Sequence, residues 1–266
     1  MMNADARLTT LTRLGFAARG LLYIVIALLL IRAGRSEDPS GALGYLAQGG
    51  GGLLMIAIAA GFIGYGLWRL SDALFNIEGH SSDNKGLRER LGAGGSGIVH
   101  LLLAWQAVKL IRGAEPASDG ATQDSARTAL EIPGGEVALL LAGLVLLAVG
   151  AFQVMKAVKG HFLRHLEPQI ASQPWAKWAG KLGYAARGLV FLISGGFLIK
   201  AGLEARASEA GGIEEALAWL DSPWDVLIAI GLFCFGLYSL IEARFRILHG
   251  VPVDAITHGD VRPNLR

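Results

Sequence analysis

Six apolar runs, at roughly residues 15–33, 53–75, 94–111, 136–155, 183–201 and 224–241, constrain this chain more than any other feature. A helix that crosses a bilayer needs about 20 mostly apolar residues, and each run comes close to that length. Hydrocarbon offers the backbone no water, so each segment must satisfy its own hydrogen bonds, which favours helices. Composition agrees: 53% of the 266 residues are hydrophobic and 17% are charged, where a soluble domain carries about a quarter charged. The third run is the weakest, because His100, Trp105 and Gln106 interrupt it. The core of the first run has the length of a signal peptide's, but Arg32 and Arg35 follow it at once with no Ala-x-Ala site before them, so it reads as a retained helix. The expected fold is all-α, a polytopic membrane protein with six transmembrane helices.

The runs are related to one another. Gly15-Phe16-Ala17-Ala18-Arg19-Gly20-Leu21-Leu22-Tyr23 returns as Gly183-Tyr184-Ala185-Ala186-Arg187-Gly188-Leu189-Val190-Phe191. A worn copy lies between them, from Gly92 through Ser96 to His100. The odd-numbered runs match at Arg13/Arg90/Lys181, Gly15/Gly92/Gly183, Arg19/Ser96/Arg187 and Tyr23/His100/Phe191. The even-numbered runs match at Gly66/Gly150/Gly236, Trp68/Phe152/Tyr238 and Asp72/Lys156/Glu242, with Arg69 opposite Gln153. This divides the chain into an N-terminal segment (1–14), three two-helix repeats (15–75, 90–157 and 181–243) and a tail (249–266). Two helices return the chain to its starting side, so the repeats are parallel, related by an axis along the membrane normal, and a pseudo-threefold arrangement is expected. The mitochondrial carriers share that plan, but their Pro-x-[Asp/Glu]-x-x-[Lys/Arg] signature is absent, so the similarity is architectural. Short amphipathic turns are expected in the loops that join each pair, at Leu43–Leu46, faintly at Ala126–Leu130, and at Glu215–Leu220.

The repeated arginine segment, together with Tyr65-Gly66-Leu67-Trp68-Arg69, resembles the bacterial membrane family called domain of unknown function 1206, over about residues 10–248. The resemblance implies three two-helix units in a bacterial inner membrane. It implies no activity, ligand or catalytic residue. The middle copy departs from the motif, with Ser96 where the arginine should stand.

Charge placement orients the chain. With Arg19, Arg69, Arg187 and Asp72 set aside, the termini and the second and fourth loops hold 14 Lys/Arg and 8 acids; the other three loops hold 7 and 13. By the positive-inside rule both termini are expected in the cytoplasm. The loops at about 112–135 and 202–223 would cap the outer face, and the tail from His249 would be extended.

Candidate functional residues are the polar groups inside the runs. A charge in hydrocarbon costs at least about 2.5–3.5 kcal/mol near the bilayer centre, so partners are expected. Arg19 and Asp72 should lie at similar depth, as should Arg187 and Glu242, and these are the expected intramembrane pairs. The middle unit presents Ser96 and Lys156, and Lys156 would reach an acid of a neighbouring unit. Arginines near a membrane face also snorkel without any partner, which leaves a purely structural role open. Ser96, His100 and Lys156 form a candidate polar path or ligand contact. His100 reads either as a core histidine or as a proton relay. Gln106 and Gln153 suit bonds across helices.

The single cysteine, Cys234, excludes an intrachain disulfide framework. No metal-binding or catalytic spacing is found, so neither a metal, nor a cofactor, nor an enzyme activity is expected. The lipid bilayer is the expected partner, with a membrane protein partner open and no nucleic acid. Two functions fit: a non-enzymatic scaffold or partner-binding subunit, and a channel or carrier for a small solute or ion along the axis.

Overall fold

The computed structural model describes residues 4–49, 51–116 and 120–248; the tail from 249 lies outside the described residues. The described chain is helical, and no strand occurs among its residues beyond one isolated bridge between Leu166 and Arg246. Its helices are α1 (Ala4–Ala33), α2 (Pro39–Gly49), α3 (Gly51–Phe75), α4 (Asn84–Ile111), α5 (Ala121–Leu130), α6 (Gly135–Lys159), α7 (Pro168–Ala171), α8 (Pro174–Glu204), α9 (Ile213–Ala218) and α10 (Trp224–Phe245). Among the described residues six helices, α1, α3, α4, α6, α8 and α10, are long and apolar enough to cross a membrane.

Each unit is therefore long helix, short helix, long helix. The short helices α2, α5 and α9 occupy the three loops where amphipathic turns are expected, and the faint middle one spans ten residues. Local chemistry sets the ends. Asp83 accepts from the Gly86 amide at 2.9 Å at the start of α4, Gly160 stops α6 in the left-handed conformation at φ 69°, and Pro174 opens α8. Exposed Trp175 and Trp178 mark the end of the bundle where α8 begins, and exposed Trp219 and Trp224 mark the opposite end, as interfacial aromatics do.

Adjacent units meet through glycine. α1 packs on α10, α4 on α3, and α8 on α6. At these seams Gly20 faces Gly236, Gly97 faces Gly66, and Gly188 faces Gly150. A Cβ on any of the six would stand only 2.8–3.1 Å from the opposing carbonyl oxygen. Removing side chains lets two backbones approach closely, the usual means of joining helices in lipid.

Within a unit the seams differ. In the first unit Gly15 packs on Gly61 and Tyr65 of α3, and in the third Gly183 packs on Phe235 of α10. In the middle unit α4 and α6 do not pack together, and α6 is the least enclosed of the six long helices. One position differs in the same way. Counting the six long helices alone, α1, α4 and α8 are the odd ones and α3, α6 and α10 the even ones. The residues five before the seam glycine of the even helix are Gly61, Val145 and Gly231. Gly61 lies against the Leu14 and Gly15 backbone and Gly231 against Ala186 and Leu182, whereas Val145 is 60% exposed. The middle unit thus carries a valine where the other two carry a packed glycine, and the expected pseudo-threefold arrangement is interrupted between α4 and α6.

Candidate functional site

The interior at the end where α1 starts and α10 finishes is built from rings. Tyr23, Phe235, Tyr184, Tyr238 and Phe162 interlock at centroid distances of 4.7–5.7 Å. Phe16, Tyr65 and Trp68 form a second group at 4.8–5.9 Å. Arg19 joins the two, its guanidinium carbon 4.9 Å from the Phe16 ring, 5.5 Å from Tyr65 and 5.2 Å from Phe235. Aromatic faces stabilise a cation that hydrocarbon would not.

The carboxylate that meets Arg19 is Glu242, not Asp72. Arg19 Nη2 donates to Glu242 Oε2 at 2.5 Å, its Nε to Ser239 Oγ at 3.1 Å and its Nη1 to the Tyr65 hydroxyl at 3.1 Å. The expected pairing fails because an arginine on an odd helix faces the even helix of the neighbouring unit across the glycine seam. For Arg19 that helix is α10, and for Arg187 it is α6. Arg187 accordingly donates to Gln153 Oε1 at 3.2 Å rather than to Glu242. Its guanidinium stacks on Tyr23, Phe191 and Phe235 at 4.8–5.4 Å.

From Glu242 an ionic chain continues through the loops. Arg246 Nη1 donates to Glu242 Oε1 at 2.6 Å and its Nη2 to Glu78 Oε2 at 2.8 Å. His165 Nδ1 lies 3.2 Å from the same Glu78 oxygen, and Arg164 donates to His165 Nε2 at 3.2 Å and to Glu89 Oε1 at 3.0 Å. His80 stands between Glu89, at 2.8 Å from Nδ1, and Asp72, at 3.0 Å from Nε2. Asp72 also accepts from the Glu78 amide at 2.9 Å and from Arg69 at 3.4 Å. The chain thus runs from Arg19 to Arg69 and ties residues of all three units together at one end of the bundle.

The two histidines in this chain are shifted in opposite directions. Both ring nitrogens of His80 face carboxylates, so both must donate. The hydrogen bond to Asp72 above all, then that to Glu89, raises its pKa above the ordinary 6.5 despite burial. His165 is pushed far below 6.5, first by burial and then by Arg246 and Arg164. A neutral His165 with its proton on Nδ1 donates to Glu78 and accepts from Arg164, which satisfies both contacts.

Lys156 meets no carboxylate within ion-pair distance among the described residues, contrary to expectation. Its ammonium lies over the Phe152 and Tyr184 rings at 5.1 and 5.5 Å. Ser96 offers its carbonyl to His100 Nδ1 at 2.7 Å. His100 is buried with its ring on Tyr65 at 4.4 Å and Phe62 at 5.5 Å. Both histidine contacts are those of a packed core residue. Gln106 does bond across helices, accepting from Ser40 of α2 at 2.8 Å.

Glu78, His80, Glu89, Arg164, His165 and Arg246 are the participants that residue patterns do not single out. Most lie in connecting loops, where polar residues are ordinary. Only Arg246, four positions after Glu242, carries a periodic signal.

Among the described residues no group of three or more His, Cys, Asp or Glu is arranged to hold a metal ion. The family described as Domain of Unknown Function (DUF1206) matches the chain over residues 14–76, 91–160 and 182–246. A Bacillus subtilis (strain 168) protein called "Uncharacterized protein YxxB" is 31% identical over 249 residues, 88% of this chain and 90% of its own length. No solved structure matches.

Proposed function

The chain belongs to the Domain of Unknown Function (DUF1206) family, and from that premise we propose that it is a non-enzymatic partner-binding subunit of the bacterial inner membrane with both termini in the cytoplasm. The observation that carries the reading is the unfilled seam of the middle unit. Gly92 and Gly95 of α4 have nothing among the described residues within 4 Å of where a Cβ would stand, whereas Gly15 and Gly183, the counterparts of Gly92, are packed against their own unit's second helix. A glycine face left open beside two helices that do not pack suits a transmembrane helix of another polypeptide. The ionic chain supports the scaffold half of the proposal, because it holds the three units in one arrangement on which a partner could rely.

A channel along the axis is the weaker reading. The interlocked rings of Tyr23, Phe235, Tyr184 and Tyr238, with Arg19 beside them, fill the interior at the end where the ionic chain lies.

A photo-crosslinking residue at Gly95, with a control at the exposed Leu53 of α3, tests the proposal in native membranes. Gly95 should yield one discrete polypeptide adduct and Leu53 none. Equal labelling at both sites, or adducts of lipid alone, would sink it. An adduct of twice the chain's mass would replace the partner with a second copy. Ion or solute flux through the purified protein in liposomes would instead favour transport.

A further inference from the structure

The three seams between units are built in one register. The residue before the odd-helix glycine is Arg19, Ser96 or Arg187. The residues three and six after the even-helix glycine are Ser239 and Glu242, Arg69 and Asp72, or Gln153 and Lys156. Across the first seam, α1 on α10, Arg19 donates to Ser239 and to Glu242. Across the seam of α8 on α6, Arg187 donates to Gln153, the equivalent of Ser239. At the place of Glu242 stands Lys156. One seam therefore sets a carboxylate at the position six after its glycine, and its counterpart sets an ammonium at the equivalent position.

No ion pair among the described residues holds either of these two cations. Neither Lys156 nor Arg187 lies within 4.0 Å of a carboxylate there, and aromatic rings are what hold them: Phe152 and Tyr184 for the lysine; Tyr23, Phe191 and Phe235 for the arginine. Two buried donors at the same seam have no acceptor, Arg187 Nε and Gln153 Nε2, and Gln153 is 95% buried, with only 5% of its surface exposed. A buried donor without a partner costs about 1–3 kcal/mol, so such groups mark a place where something is missing. Both cations are half-buried rather than sealed. Lys156 lies three residues from the end of α6.

We infer that the α6–α8 seam is an anion site, in which an oxyanion takes the place that the Glu242 carboxylate fills at the α1–α10 seam. Lys156 and Arg187 supply the charge and Gln153 Nε2 a further donor. The shared chemistry is a phosphate or carboxylate group, and it can arrive as the headgroup of an acidic phospholipid or as a free anion. The site does not depend on what fills the space between α4 and α6.

The test is thermal unfolding of the full chain in nanodiscs of zwitterionic lipid, with two additions made separately: inorganic phosphate, and phosphatidylglycerol in the bilayer. The wild type should gain Tm in at least one arm. A response to phosphate identifies a free anion, a response to phosphatidylglycerol identifies a headgroup, and both together show that the site takes either. Lys156→Gln should abolish the response. Lys156→Glu should raise Tm without any addition, because it recreates the Arg19–Glu242 arrangement opposite Arg187, and should be indifferent to both additions. A wild type that responds in neither arm overturns the inference. So does a Lys156→Glu protein that responds as the wild type does.

Discussion

Arg19 of α1 and Glu242 of α10 are 223 residues apart in sequence and form a buried ion pair across the seam that joins the first unit to the last. Glu242 also receives Arg246, so its removal leaves the buried Arg19 guanidinium without a carboxylate and Arg246 with Glu78 alone. Breaking a buried pair by deleting one partner costs about 3–5 kcal/mol. Glu242→Ala should lower Tm accordingly in detergent unfolding. The exchange Arg19→Glu with Glu242→Arg should recover part of the loss, and Arg19→Asp with Asp72→Arg should recover none. Rescue by the second exchange would show that the pairing lies within the unit after all.

Stability should pass through a maximum near the pKa of an unperturbed histidine. His80 is raised in the fold by Asp72 and Glu89, so its contribution is complete below about pH 6.5 and is lost as pH rises through its folded value. His165 is depressed by burial and by Arg246 and Arg164. Its fold therefore weakens as pH falls below about 6.5, where the unfolded chain takes a proton that the folded chain refuses. In a pH series of Tm values, His80→Gln should remove the alkaline decline and His165→Gln the acidic one. Either variant leaving its limb intact would disprove the assignment of that histidine.

Much of this was legible in the residues. The apolar runs name the six spanning helices, and the repeats name the equivalent positions that prove to share one geometry. Repeats identify equivalence, however, and not adjacency. Asp72 and Glu242 lie at the same depth in their units, so depth alone does not decide between them as the partner of Arg19; the glycine seams do. The loop residues Glu78, His80, Arg164 and His165, and Glu89 near the start of α4, carry no periodicity that separates a tethered charge from a solvated one. The opening of the middle unit was present as a single substitution, Val145 where its counterparts are Gly61 and Gly231, and it becomes meaningful only once those glycines are seen against a backbone.

That difference can be exchanged between units. A Cβ at Gly61 would lie 2.8 Å from the Leu14 carbonyl carbon and 2.9 Å from the Gly15 amide nitrogen, neither of which can turn aside. Gly61→Val should force α1 from α3 and cost about 1–3 kcal/mol, the usual range for overpacking. Val145→Gly removes a side chain that is 60% exposed and should cost no more than about 1 kcal/mol, the helix penalty of glycine. Comparable losses of Tm in the two variants would mean that the glycine at this position does not govern the packing of a unit.

The arginines at the base of the odd helices act on the ends of their neighbours. Arg13 donates to the carbonyls of Ala243, Arg244 and Arg246 at 2.7–3.2 Å, and Arg90 to those of Ala73 and Leu74 at 2.9 and 3.0 Å. These are the free acceptors and the negative dipole end of α10 and α3, where a cation contributes about 0.3–1 kcal/mol, more when partly buried. Lys181, the third member of the set, lies instead 5.8 Å over the Trp178 ring. The helix it would serve, α6, ends at Gly160, whose amide bonds to the Lys156 carbonyl at 2.9 Å. Arg13→Ala and Arg90→Ala should each lower Tm by an amount equivalent to about 1 kcal/mol, and Lys181→Ala should leave it nearly unchanged. An equal loss in all three would show that the lysine caps its neighbour as the arginines do, and that the third seam keeps at this end the arrangement it lacks at Lys156.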